Sequence, residues 1–466
     1  MITDKPKTIG ELRESGYQAR SVKEELRQNL IKRIRQGAEL FPGIIGYEDS
    51  VIPQVENAIL SGQDIIFLGE RGQAKSRMIR SLVNLLDEEI PVIAGCEIHD
   101  SPFKPICKNC RLRVAEEGPA VEISWLTREN RYGEKLATPD VTIADLIGEV
   151  DPIKVAEGRY LSDELTIHYG LIPRTNRGIF AINELPDLAE KIQVGLFNIM
   201  EERDVQIRGY RVRLPLDVYV VASANPEDYT NRGRIITPLK DRYGSQIRTH
   251  YPKTTMHEID IMDRERTHYE DEGLRISIPA YIKEILAEFT NLARRSPEIN
   301  QRSGVSVRVS ITNYENVVSN AIRRAIRNGE TYVAPRISDL PYIIASTTGK
   351  IELETVDDGK EDQIVERLLQ GAITKVFNRH FDARQFEDVV TRFKNGLTVD
   401  TSDIMRAEEY TQKMRELGAL GPAIGKLESD RNPATLASAM EFILEGLHLN
   451  KKLNKTTVGG RLQYRG

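Results

Sequence analysis

Nine residues, GERGQAKSR at 69–77, have the types and the spacing to hold a phosphate chain. A Gly-rich turn that opens a helix points backbone N–H groups at phosphate oxygens, and the helix N-terminus adds partial positive charge. Gly69 and Gly72 supply the permissive backbone around Glu70 and Arg71; Gln73, Ala74 and Arg77 complete the stretch. In this spacing Lys75 would reach the β- and γ-phosphates of a nucleoside triphosphate, and the Ser76 hydroxyl would ligate Mg²⁺. Ala74 stands where the usual pattern has its second glycine. As the residue entering the helix it is expected at negative φ, where one methyl group does little harm.

A second stretch, GIFAINEL at 178–185, ends in Asn183–Glu184. P-loop ATPases usually place Asp–Glu there: the first holds a water on Mg²⁺ and the second orients or deprotonates the attacking water. Asn183 can accept a hydrogen bond from such a water but brings no charge. Weaker Mg²⁺ binding is therefore expected, with Glu184 kept as the base and hydrolysis retained but slowed. A third group, Cys96, His99, Cys107 and Cys110 in GCEIHDSPFKPICKNCRL, has the spacing C-x₂-H-x₇-C-x₂-C. Two close pairs of soft ligands fit structural, tetrahedral Zn²⁺; three free thiols beside a histidine is the alternative. The other histidines have no ligand-like spacing.

These residues need elements to aim them. IIFL at 65–68 reads as a strand leading through the Gly-rich turn into a helix. GIFAIN and DVYVVASA (217–224) read as two more strands, with a helix after 186 in which Leu188, Ile192 and Leu196 share a face. Strands alternating with helices predict a parallel sheet covered on both sides. Before it, SVKEELRQNLIKRIRQ (21–36) places Val22, Leu26, Leu30 and Ile34 on one helical face. DVQIRGYRVRLPL alternates about Gly209, as a β-hairpin over 204–216 would. From 256 the pattern is helical, and a charged stretch, DDGKED, separates a further helical tail after 350. The expected organisation is an N-terminal helical segment (1–37), an α/β nucleotide-binding core (38–255) with an insertion at about 96–177, a helical lid (256–349) and a C-terminal helical domain (350–466).

The chain has 466 residues, enough for about three units at ~100–200 residues each. A formal net charge of −5 offers no general attraction to nucleic acid or to an anionic membrane. No apolar run reaches the ~20 residues of a membrane span and the N-terminus lacks a signal-like stretch, so a cytoplasmic protein is expected.

Five segments in order, FPGIIGYEDS, TPDVTIADLIGEVDP, GLIPRTNRGIFAINEL, SANPEDY and PLKDRYG, resemble the AAA+ ATPase subunit of magnesium chelatase and the MoxR-like ATPases, over about residues 38–325. The resemblance implies a P-loop AAA+ core, ATP and Mg²⁺ as ligands, a ring of subunits (a hexamer), and a partner bearing a von Willebrand A domain. It implies that Asn225 of SANPEDY polarises the attacking water, that Arg242 of PLKDRYG is an arginine finger acting on the neighbouring subunit's ATP, and that Arg308 of SVRVSI is a lid arginine touching the γ-phosphate. Fixed guanidinium groups suit a phosphoryl-transfer transition state whose charge is spread over oxygens. Arg208, Tyr210 and Arg211 at the hairpin tip would grip a client, or form an ordinary solvated turn.

The leading expectation is thus an ATP-driven remodeller of a protein or metal-centre client. The alternative is a nucleotide-locked scaffold that scarcely hydrolyses ATP, because of Asn183. A DNA translocase or a σ54-type activator would share the core, but the acidic balance and the lack of a GAFTGA loop argue against both.

Overall fold

The computed structural model describes residues 5–156, 163–201, 205–207, 210–212, 214–225, 234–268, 273–301, 303–354, 361–427, 430, 432–458 and 461–466. The chain divides into two compact units, residues 1–250 and 251–466.

The first unit is built on five parallel strands: β1 (Ile65–Leu68), β2 (Tyr132–Leu136), β3 (Gly178–Asn183), β4 (Val218–Ala224) and β5 (Ser245–Arg248), in the order β5-β1-β4-β3-β2. β3 and β4 are buried almost throughout, as near-continuous apolar runs inside a parallel sheet must be. The sheet flanked by helices is the α/β P-loop core expected from the sequence. One strand was hidden, however: β2 lies inside the stretch 96–177 read as an insertion, so that insertion is not a single block. YGEKL carries only two apolar residues of five, as an edge strand with one neighbour tolerates.

The helix Val22–Arg35 begins with a capping box between Ser21 and Glu24 and buries Val22, Leu26 and Leu30. Ile34, assigned to the same face, is 47 % exposed in the last turn. Glu25 on this helix is buried and receives both terminal nitrogens of Arg131, at 2.7 and 2.6 Å. Arg131 also donates to the Arg177 carbonyl (2.8 Å). This pair fastens the N-terminal helix to the turn that leads into β2 and, through the Arg177 carbonyl, to the entrance of β3. The hairpin appears as Val205–Ile207 paired antiparallel with Tyr210–Val212; Arg208 and Gly209, and the side chains of Tyr210 and Arg211, lie outside the described residues.

In the second unit the helices Thr255–Glu265, Ala280–Ala293 and Val307–Asn328 share one core with Glu361–His380 and Pro433–Leu449. Tyr281 stacks on Phe442 (centroids 4.4 Å apart) and its hydroxyl donates to Ser438 Oγ at 2.7 Å. The division expected at 349/350 therefore does not separate two cores. The hydrophilic DDGKED prompted it, and of that segment only Glu361 and Asp362 are described, at the start of a helix.

Candidate active site

The loop leaving β1 turns back directly into the helix Lys75–Ser81. Gly69 has no room for a side chain: a Cβ there would lie 1.9 Å from Thr249 Oγ1 and 2.3 Å from Gln73 Oε1. The Gly69 N–H donates to the Ala224 carbonyl (3.1 Å), tying the loop to the end of β4. Gln73 braces the loop from within, its Oε1 accepting from the Glu70 N–H (3.1 Å) and the Thr249 hydroxyl (2.6 Å). The Tyr47 hydroxyl, whose pKa burial raises to about 12, reaches the carbonyls of Gln73 (3.0 Å) and His250 (2.8 Å). Gly72 sits at φ 76°.

Ala74 corrects the sequence expectation: its φ is 56°, left-handed, and it caps the helix rather than entering it. The missing glycine therefore does carry a penalty, since a Cβ in this region is disfavoured by roughly 1–3 kcal/mol. Glu184 is left-handed too, at φ 55°. Such outliers cluster where a loop must present its backbone or side chain to a ligand.

Lys75 is only 6 % exposed. Its ammonium donates to the Gly69 carbonyl (2.5 Å), the Glu70 carbonyl (2.8 Å) and Asn225 Oδ1 (2.7 Å). The loop and the end of β4 thus meet on one nitrogen, and Asn225 is 5 % exposed. Ser76 Oγ lies 3.4 Å from Asn183 Oδ1, which also accepts from Ser223 Oγ (3.2 Å). Ser223 Oγ in turn accepts from the Glu184 N–H (3.2 Å), fixing the turn that carries the expected base. Gly69, Glu70, Gly72, Gln73, Ala74, Lys75, Ser76, Asn183, Glu184 and Asn225 are thereby gathered at the C-terminal ends of β1, β3 and β4, where ligands of parallel sheets bind.

Sequence reasoning missed one member. Glu134 of β2 accepts from Asn183 Nδ2 at 2.5 Å and from Arg80 through Nε and a terminal nitrogen, both at 2.8 Å. The Arg80 hydrogen bonds hold the Glu134 carboxyl below its ordinary value of 4.5. Parallel pairing sets Leu136 opposite Asn183, so Glu134 lies two residues back on the same face of the sheet. No motif marks it; only the unsuspected strand and its register could have done so.

Arg242 closes the short helix Thr237–Arg242, ion-paired with Glu201 and lying over the Phe197 ring (5.2 Å). Arg308, in the second unit, is exposed in the first turn of the helix Val307–Asn328. Arg71 and Arg77 are exposed on the phosphate loop and its helix.

The cysteine group assembles, with one change of membership. Cys96, Cys107 and Cys110 converge with Asp100, every candidate ligand atom lying within 4.8 Å of the others. His99 is not among them: its backbone is left-handed (φ 54°), and that turn delivers the next residue to the thiols. Hydrogen bonds from Cys107 and Cys110 lower the Cys96 thiol, while contacts with Cys107 and then Cys96 push Cys110 up.

No protein-family model matches the chain. It is 24 % identical over 382 residues to the magnesium-chelatase subunit ChlI of Nostoc sp., spanning 76 % of this chain and 93 % of that one. To the magnesium-chelatase 38 kDa subunit of Rhodobacter capsulatus it is 26 % identical over 246 residues, 50 % and 61 % of the two chains. The likeness is to the magnesium-chelatase ATPase subunits. A solved complex of the BchI and BchD subunits of magnesium chelatase is 18 % identical, over 68 % of this chain and 94 % of that one, at a TM-score of 0.33, a likeness too loose to bear on the site. The chelatase relatives, with the strand–loop–helix geometry around Lys75, support an AAA+ ATPase. Among the described residues no helix is long and apolar enough to cross a membrane.

Proposed function

We propose that this chain binds ATP at the loop 69–77 and hydrolyses it, working in a ring of identical subunits to remodel a protein or metal-centre client. The observation that carries the reading is the seat of Lys75, whose ammonium joins two loop carbonyls to Asn225 across 150 positions of sequence. A γ-phosphate exchanging for those carbonyls would meet Lys75 and the loop N–H groups together. Asn225, held beside that phosphate by Lys75, would orient water, and Glu184 would take its proton.

Ser76, with Asn183 behind it, would hold Mg²⁺, and the donor set fits: a hydroxyl and an amide oxygen 3.4 Å apart, hard ligands suited to a hard cation. The ion supplies positive charge to the transferring phosphoryl group. Glu134, hydrogen-bonded to Asn183, sets a carboxylate behind the amide, with its charge shared by the bidentate Arg80. The carboxylate orients Asn183 with its oxygen toward Ser76, which supports turnover over the nucleotide-locked scaffold that Asn183 suggested.

The remaining roles rest on the family likeness: Arg242 as a finger reaching the next subunit's ATP in a hexamer, Arg308 as a lid contact in 256–349, a von Willebrand A-domain partner, and a cytoplasmic setting. No step of this chemistry uses the cysteine cluster. Steady-state phosphate release from Mg·ATP tests the reading. Lys75→Ala is expected to lower kcat/KM roughly 100-fold or more, and Glu184→Gln to lower kcat by about 10²–10⁴ while ATP still binds. Full turnover in Lys75→Ala would end it.

A further inference from the structure

The segment after the strand Glu89–Ile93 is polar and irregular, yet it ends in a tightly enclosed knot. Cys107 and Cys110 are buried at the start of the helix Lys108–Glu117, and Asp100 is fully buried (0 % exposed). Backbone amides already serve the sulfurs: the Asp100 N–H donates to Cys96 Sγ (3.4 Å) and the Cys110 N–H to Cys107 Sγ (3.3 Å). Donation of this kind stabilises thiolates over thiols. One Asp100 oxygen, Oδ2, accepts from the N–H groups of Ile106 (3.1 Å) and Cys107 (3.0 Å). The other, Oδ1, is buried with no hydrogen-bond partner. An enclosed carboxylate oxygen left unsatisfied is expensive, and three sulfurs and that carboxylate converge within 4.8 Å.

We propose that Cys96, Asp100, Cys107 and Cys110 form a tetrahedral Zn²⁺ site that clips the 96–107 loop to the helix Lys108–Glu117. The spacing suits one ion: ligands about 2.3 Å from a tetrahedral centre lie about 3.8 Å from each other, whereas a polynuclear iron–sulfur cluster spreads its thiolates farther. Four protein ligands close the shell, so the role is structural rather than catalytic. The helix N-terminus at Cys107 offsets part of the negative charge of three thiolates and a carboxylate. The clip anchors more than itself. Asn176 donates to the Ile98 carbonyl (3.0 Å) inside the loop and accepts from the Asp217 N–H (2.9 Å) at the entrance to β4. A metal at the cysteines thus steadies the end of the sheet opposite the phosphate loop.

The full chain, purified without chelator, is the material for the test. Elemental analysis is expected to find about one zinc per chain, and exchange for Co²⁺ to give tetrahedral d–d bands with thiolate charge transfer. Asp100→Asn keeps an oxygen for the two amides and so preserves the loop, as far-UV circular dichroism would check. It is expected to weaken zinc affinity at least ~tenfold, by analogy with the effect of losing outer partners alone, and His99→Ala to leave it unchanged. A protein that holds no zinc as purified, and takes up neither Zn²⁺ nor Co²⁺ when either is added to the reduced chain, overturns the site. If His99→Ala releases zinc and Asp100→Asn does not, the assignment of the fourth ligand is overturned.

Discussion

Ala74 holds its left-handed conformation because both flanks are fixed: Gln73 by Thr249 and Tyr47, and Lys75 by three acceptors. Ala74→Gly removes the Cβ from a region that disfavours it but loosens the unfolded chain, two effects of opposite sign. The relief is the larger here, and a net stabilisation of about 0.5–1 kcal/mol is expected from denaturant unfolding. At the same scale, Glu134 sets a carboxylate, paired with Arg80, against Asn183. Glu134→Gln is expected to raise the Mg²⁺ concentration for half-maximal nucleotide binding on the order of tenfold, and Asn183→Asp in the same chain to bring it back, read by fluorescence of a bound nucleotide analogue. The Arg80 contact depresses the Glu134 carboxyl, so its contribution to stability is complete above the ordinary value of 4.5 and is lost as the pH falls through the lower folded value. The stability difference between the natural chain and Glu134→Gln should accordingly be flat from neutrality to about pH 5 and shrink below 4.5.

Among elements, the Glu25–Arg131 pair decides whether the N-terminal helix stays docked. Both groups are buried, so removing one strands the other's charge, at about 3–5 kcal/mol. Glu25→Ala should show that loss in chemical denaturation, whereas Glu25→Leu with Arg131→Met should recover most of it. The elements also separate what sequence makes legible from what it hides. β1, β3 and β4 and the helices after them announce themselves by long apolar runs and helical spacing. β2 does not, because an edge strand pairs on one side only and YGEKL can be half polar. With β2 hidden, Glu134 was hidden, since its place beside Asn183 exists only through register. The phosphate loop, Asn183, Glu184 and Asn225 are legible as one group, because short motifs mark them and the structure brings them together. Ala74 and His99 were misjudged for one shared reason: each sits at positive φ, which residue type alone argues against.

At the scale of the molecule, each of the two units closes its own core, and the tail after 361 belongs to the second as much as the helices between 255 and 328 do. Arg242 is 34 % exposed on a surface helix of the first, with Glu201 holding its charge in the isolated chain. If it acts across a subunit boundary, Arg242→Ala should still bind ATP and still assemble by native mass, while turnover falls about 10³-fold. Mixing it with Glu184→Gln, itself inactive, should restore measurable phosphate release, because one kind of junction in the mixed ring then has both groups. Inactive mixtures would place Arg242 within its own subunit's business.

The grip of Lys75 on Asn225 has one more implication. The amine's three donors are already engaged, two by loop carbonyls and one by Asn225, so a phosphate oxygen that reaches the amine takes the place of one of them. Whichever contact yields, the loop loses one of the ties that brace it when empty, so an occupied site differs from an empty one in its own bracing as well as in what it holds.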